Sequence, residues 1–76
     1  MTAFVLCKLV AGLEDKAIQE IRKVPGIKDV YMTFGGWDAI FLAESDTLDK
    51  LSGMVVSEVR GIHGVQNTET LVATSL

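Results

Sequence analysis

The strongest constraint in this 76-residue sequence is an internal repeat. Residues 20–27 (EIRKVPGI) and residues 58–65 (EVRGIHGV) agree at six of eight positions when Ile and Val are counted as equivalent, and they lie 38 positions apart, half of the chain. A repeat of this length corresponds to a supersecondary unit that occurs twice.

The first half of the chain reads as strand, helix, strand. Residues 3–10 and 27–34 are apolar runs typical of strands. Between them, apolar residues recur at the three- and four-residue spacing of a helix, at Leu13, Ala17, Ile21 and Val24. Pro25 and Gly26 are expected to end this helix, because proline cannot continue the hydrogen-bond ladder and glycine adopts the left-handed conformation.

The second half repeats the order. A strand is predicted at residues 37–43, and Ser45 and Asp46 are predicted to cap the helix that follows. The apolar stripe of that helix is Leu48, Leu51, Val55 and Val59. Gly61 and Gly64 end it, and a last strand is predicted at residues 65–74.

Two strand–helix–strand units joined by right-handed crossovers predict an α+β, ferredoxin-like βαββαβ fold, with a four-stranded antiparallel sheet and both helices on one face. The 76 residues make a single domain, residues 1–76. The other face of the sheet is left uncovered, and the first and third strands are apolar on both faces. With 49% apolar residues, this chain is therefore expected to form a homodimer, as an α/β sandwich or barrel.

Composition argues against several functions. The net charge is −3 with scattered basic residues, so no direct nucleic-acid binding is expected. No secretory signal and no apolar run of about 18 residues is present, which indicates no membrane span and a cytoplasmic protein. One cysteine and one histidine cannot build a structural zinc site, and no catalytic grouping or phosphate-binding loop is evident. We expect no metal, no cofactor and no enzymatic activity, with Cys7 in the core and His63 on a surface loop.

The stretch Phe34, Gly35, Gly36, Trp37, Asp38 joins the two halves. Two adjacent glycines predict a tight hairpin with positive φ values. Asp38 has two readings that the sequence leaves open. Its carboxylate caps backbone N–H groups of the hairpin, or it receives an ammonium group while nearby backbone N–H groups receive a carboxylate, as in the binding of a free amino acid.

Gln66, Thr68 and Thr70 are predicted to lie on one face of the last strand. Their side chains can contribute to the same site, although threonine is also frequent in strands because of its β-propensity.

Three segments in order give a family resemblance: residues 24–27 (VPGI), 34–38 (FGGWD) and 62–70 (IHGVQNTET). They resemble the signatures of the Lrp/AsnC ligand-binding domain, also called the RAM domain, over nearly the whole chain. Phe34 stands where the family usually has a small hydroxyl residue, and Trp37 stands in place of tyrosine.

This resemblance implies a ferredoxin-like dimer that assembles into an octamer or similar ring and holds an amino-acid effector between dimers. It implies a ligand site with one wall formed by Gly35, Gly36, Trp37 and Asp38, and another formed by Gln66, Thr68 and Thr70. Full-length members carry an N-terminal helix-turn-helix domain, and this chain resembles the stand-alone members that lack it. The expected function is that of an amino-acid sensor in transcription regulation, or of a subunit that co-assembles with a full-length regulator.

Two other readings of the same fold remain open. One is a small dimeric ferredoxin-like α/β-barrel enzyme of the monooxygenase or isomerase type, and the other is an ACT-like regulatory domain.

Overall fold

The computed structural model describes residues 1–73. Within that range the elements follow the predicted order: β1 (Thr2–Leu9), α1 (Glu14–Arg22), β2 (Ile27–Met32), β3 (Ala39–Glu44), α2 (Leu48–Met54), which continues as a π-helical segment (Val55–Val59), and β4 (Val65–Val72). The strands form one sheet in the order β2-β3-β1-β4, with every neighbouring pair antiparallel. The predicted ferredoxin-like fold is confirmed.

One face of the sheet carries the core. Alternate residues of β1 and β3 are buried and pack against α1, α2 and the π-helical segment. The strands contribute Ala3, Val5, Cys7, Leu9, Ala39, Phe41 and Ala43, and the helical elements contribute Ala17, Ile18, Ile21, Leu51, Val55 and Val59. Cys7 is fully buried in this core, which confirms the prediction that it is a core residue. Burial raises the pKa of its thiol to about 12.

The two halves are tied together by equivalent hydrogen bonds. The carbonyl oxygen of Gly26, just before β2, accepts from the backbone N–H of Glu44 at the end of β3, at 2.8 Å. The carbonyl oxygen of Gly64, just before β4, accepts from the backbone N–H of Val10, just after β1, also at 2.8 Å. The glycine that is common to both copies of the repeat therefore has the same structural role in each.

The second helix begins later than predicted. Thr47, rather than Ser45 or Asp46, is its N-cap, and the Thr47 hydroxyl accepts from the backbone N–H of Lys50 at 3.2 Å. Leu48 is therefore in the first turn and exposed, whereas Leu51, Val55 and Val59 are buried as predicted. Leu51, Val55 and Val59 are four residues apart and still lie on one face, because the helix widens to π geometry, with more residues per turn, beyond Met54.

We expect Thr47→Ala to lower the free energy of unfolding by about 1 kcal/mol, because a first-turn N–H loses its side-chain acceptor. Thermal denaturation should show a drop in Tm of about 4–8 °C for that loss. Ser45→Ala removes the hydroxyl that the sequence favoured as the cap and should leave Tm nearly unchanged. Equal losses in the two variants would contradict the assignment of the cap.

Candidate functional site

The connection between β2 and β3 is a six-residue loop, residues 33–38, rather than the tight glycine hairpin that the sequence predicts. Gly35 has a positive φ of 136°, whereas Gly36 is not among the residues of positive φ. The base of this 33–38 loop is closed by Thr33, whose backbone N–H donates to the carbonyl oxygen of Asp38 at 2.9 Å and whose hydroxyl donates to that of Trp37 at 2.7 Å. Sequence reasoning missed Thr33, which was assigned to the strand.

Asp38 extends the pairing of β3 with β1. Its backbone N–H donates to the carbonyl oxygen of Cys7 at 2.8 Å, and its Oδ2 accepts from the backbone N–H of Leu9 at 2.8 Å. The carboxylate thus replaces a ladder hydrogen bond at the end of the sheet. This is a capping role, as one of the two readings predicts, but the capped N–H belongs to β1 and not to the hairpin.

The same loop presents polar groups that have no partner within residues 1–73. The backbone N–H groups of Phe34, Gly35, Gly36 and Trp37 donate no hydrogen bond there, and the second oxygen of Asp38, Oδ1, accepts none. A Cβ added to either glycine would meet nothing within 4 Å, so the space around these amides is open. Backbone N–H groups that have no partner can donate to an anion, and a carboxylate oxygen that has none can accept from a cation.

The residues predicted on β4 are only partly brought together. Thr68 lies directly opposite Cys7 and Thr70 opposite Val5, so both side chains lie on the helix-covered side of the sheet and are half-buried. Gln66 is exposed and falls at the irregularity where the β1–β4 register shifts. The prediction that all three share one regular face is therefore wrong at Gln66, because the shift interrupts the alternation of side chains.

Thr68 and the 33–38 loop lie at the same end of the sheet. They flank β1, with Asp38 on one side of Cys7 and Thr68 on the other, so two strand spacings of about 4.8 Å separate them. Thr70 is two residues farther from that end. Within one chain, the groups of the loop are adjacent to one another, and the β4 groups form a separate wall at a distance of about 10 Å.

The uncovered face of the sheet, called here the open face, has an apolar centre. One row of directly opposed residues crosses it through Lys28, Leu42, Phe4 and Leu71, and the next row crosses through Tyr31, Ile40, Leu6 and Glu69. Each row is therefore apolar except for one charged residue at an end. Phe4 is 43% exposed, Leu71 47% and Tyr31 62%. A hollow of about 250 Å³ lies between Phe4 and Tyr31. Exposed apolar rows of this kind mark contact surfaces.

The rest of the described chain offers little catalytic or metal-binding chemistry. Among residues 1–73, no group of three or more His, Cys, Asp and Glu side chains could hold a metal ion. His63 is exposed, as predicted. No helix in the described part of the chain is both long and apolar enough to cross a membrane.

The two repeated units define a ferredoxin-like domain with an open apolar sheet face and a polar loop at one end. A family model of the Lrp/AsnC ligand binding domain matches residues 2–76. The chain therefore belongs to the Lrp/AsnC ligand-binding domain family.

Individual relatives agree with this assignment. An uncharacterized HTH-type transcriptional regulator of Pyrococcus furiosus is 33% identical over 75 residues, which cover 95% of this chain and 50% of the relative. The chain thus spans about half the length of the curated relatives it matches. The crystal structure of FFRP-DM1 is 32% identical, with a TM-score of 0.89 and coverage of 96% of this chain and 97% of that one.

A more distant structure shares the fold alone. The transcriptional regulator NMB0573 of Neisseria meningitidis, solved as a complex with L-Met, is 18% identical to this chain. Its TM-score is 0.85, and the match covers 97% of this chain and 49% of that one.

Proposed function

We propose that this domain binds a free amino acid at the 33–38 loop and acts as an oligomeric effector-binding unit in transcription regulation, in the cytoplasm. The observation that carries the proposal is the loop itself, in which four backbone N–H groups and Oδ1 of Asp38 have no hydrogen-bond partner within residues 1–73. A free amino acid carries one carboxylate and one ammonium group on the same carbon, so it needs an anion site and a cation site side by side.

The roles of the individual groups follow from their charges. The backbone N–H groups of Gly35 and Gly36 receive the ligand carboxylate, because neither residue has a side chain to block a close approach. Oδ1 of Asp38 receives the ammonium group, while Oδ2 remains bound to Leu9. Trp37 is half-buried beside this pair and offers an apolar surface to the ligand side chain. The L-Met complex of the Neisseria regulator supports an amino acid as the ligand class, since that protein shares this fold.

Assembly is the second part of the proposal. The open face joins two copies as a homodimer, because its apolar rows gain burial there that the single chain does not provide. Gln66, Thr68 and Thr70 then provide a second wall of the ligand site where dimers meet in an octamer or similar ring. A full-length regulator of the same family can take the place of one copy, because it carries the same domain.

The test is a thermal-shift titration of the unmodified protein with each of the twenty amino acids. At about 100 times the dissociation constant, a ligand that binds only the folded protein stabilises it by about 2.7 kcal/mol. We expect at least one amino acid to raise Tm and Asp38→Asn to abolish that rise.

Asparagine is the informative replacement at this position. Its amide oxygen can still accept from the Leu9 N–H, so the fold keeps its hydrogen bond while the negative charge is lost. Asp46→Asn removes an equal charge from an exposed position outside the 33–38 loop and should leave the ligand-induced shift intact. If no amino acid shifts Tm, or if Asp38→Asn responds as the unmodified protein does, the assignment of this site is wrong.

A further inference from the structure

We propose that the ligand of the 33–38 loop is an amino acid with an acidic side chain, and that Lys8 and Asn67 receive its second carboxylate. The inference rests on the proposed function and names the class of amino acid that the site selects.

The first observation is the position of Lys8, the only charged residue of the central strand β1. Of the seven basic residues in the chain it is half-buried, and the other six are exposed. Its ammonium group forms no ion pair within residues 1–73, whereas Lys23, Lys28 and Lys50 each pair with a carboxylate. A cation that has lost part of its hydration is stabilised by an anionic partner. A carboxylate from outside the chain supplies that partner.

The second observation is the amide of Asn67, which lies directly opposite Lys8 in the pairing of β1 with β4. Directly opposed residues share a face of the sheet, so the two side chains are neighbours. Oδ1 of Asn67 accepts from the backbone N–H of Thr68 at 2.9 Å. The end of this amide that remains is its NH2 group, a donor. An ammonium group and an amide NH2 group side by side can donate to the two oxygens of one carboxylate.

The pair is next to the loop. Oδ2 of Asp38 accepts from the backbone N–H of Leu9, and that nitrogen is bonded to the carbonyl carbon of Lys8. The Asp38 carboxylate therefore lies beside the backbone of Lys8 on the β3 side, and Asn67 lies one strand spacing, about 4.8 Å, away on the β4 side. Lys8 is thus between the loop and β4, which are the two walls of the proposed site.

The pair also lies outside the apolar centre of the open face. Cys7 and Leu9 are buried against the helices, so alternation places Lys8 on the open face. It follows Leu6, the last apolar residue of β1 on that face. Glu69, opposite Leu6, is a diagonal neighbour of Lys8 on the same face, but the two form no ion pair. Lys8 and Asn67 therefore form a polar margin between the apolar rows and the loop.

An acidic amino acid has the charges that this arrangement requires. Its ammonium group and its first carboxylate bind Asp38 and the glycine amides, as proposed above. A short methylene chain then carries the second carboxylate to Lys8 and Asn67, and its methylene groups contact Trp37. The neutral amide of the same amino acid lacks the charge that Lys8 requires and binds more weakly.

Calorimetric titration with glutamate and glutamine, and with aspartate and asparagine, tests the preference. We expect at least one acid to bind about 10–100-fold more tightly than its own amide, as for a hydrogen bond between charged groups. Lys8→Met keeps an unbranched side chain without the charge, so it should lower the affinity for the acid to that for the amide and leave the amide unaffected. Lys16→Met removes the same charge from an exposed position on α1 and should keep the preference.

Asn67→Asp is a second, independent variant. Its carboxylate can still accept from the Thr68 N–H, but it has no NH2 group and repels an anion. It should therefore also abolish the preference for the acid, and it tests the site even if Lys8→Met does not fold.

The outcomes separate this inference from the proposed function. Binding of amino acids with equal affinity for acid and amide overturns this inference alone. An equal loss for acid and amide in Lys8→Met also overturns it, because Lys8 would then bind the carboxylate that all amino acids share. If no amino acid binds, both proposals are wrong.

Discussion

Leu71→Lys is expected to dissociate the dimer that we propose at the open face. Leu71 lies directly opposite Phe4 at one end of an apolar row on the open face. A lysine there would have to lose its hydration when two sheets meet, and it appears twice in a symmetric dimer. Desolvation of a charge in an apolar contact costs several kcal/mol, part of which the Glu69 carboxylate two residues away on the same face of β4 can offset, so the dissociation constant should rise by about 100-fold. Light scattering measures the change directly.

Leu48→Lys is a closely matched control for this variant. Leu48 is 46% exposed and Leu71 is 47% exposed, and both are leucines, but Leu48 lies on the helix side of the domain. The two variants therefore introduce the same charge at positions of equal accessibility on opposite sides. If the mass falls equally in both variants, or in neither, the open face is not the dimer contact.

Gly26→Ala is expected to be among the most destabilising single-methyl changes in the chain, with a loss of about 3 kcal/mol in the free energy of unfolding. Gly26 has a φ of 90°, and a Cβ at this position would lie 2.8 Å from the carbonyl oxygen of Glu44. The obstacle is backbone, which cannot rotate away as a side chain could. The end of β3 that packs against Gly26 would have to move, and the hydrogen bond from the Glu44 N–H to the Gly26 carbonyl oxygen would be disturbed. Chemical denaturation gives the loss.

Gly12→Ala separates the two causes of that loss, which are the strain of a positive φ and the clash of the added Cβ with Glu44. Gly12 has nearly the same φ, 88°, but an added Cβ would meet nothing within 4 Å. Its loss should therefore reflect the left-handed conformation alone, at about 1 kcal/mol. The difference between the two variants measures the clash. A Gly12→Ala loss as large as that of Gly26→Ala would mean that the close approach to Glu44 contributes nothing.

Much of the fold could be predicted from residues 20–27 and 58–65, because a repeated helix end followed by a strand start implies a repeated supersecondary unit. Gly26 and Gly64, the glycines common to both copies of the repeat, accept equivalent hydrogen bonds just before β2 and β4. Cys7 was predicted correctly for a simple reason, since a cysteine among apolar neighbours in a central strand has no route to water.

The site was harder to predict because its details depend on the exact path of the backbone and on how neighbouring strands pair. The Gly35–Gly36 pair suggested a tight turn, but Thr33 closes a wider loop through two hydrogen bonds that no local pattern reveals. The sequence places Gln66 and Thr68 on the same face by regular alternation, but the shift in the β1–β4 register falls at Gln66 and breaks the alternation. Thr47 is the N-cap of α2 instead of Ser45, because the helix begins two residues later than the sequence pattern suggests. In each case the deciding partner lies on another element or depends on the exact path of the backbone.

The hydrogen bond between Asp38 and Leu9 would also couple the proposed ligand site to the fold. The carboxylate holds the end of a central strand through Oδ2, and its other oxygen, Oδ1, has no partner within residues 1–73. A ligand that pulls the Asp38 carboxylate toward itself weakens the hydrogen bond to Leu9. That hydrogen bond lowers the affinity for the ligand by the same free energy, because such coupling is reciprocal. A ligand that leaves the carboxylate in place makes both the loop and the end of the strand more rigid. The exchange rate of a single amide proton, that of Leu9, would therefore report which kind of ligand the loop has received.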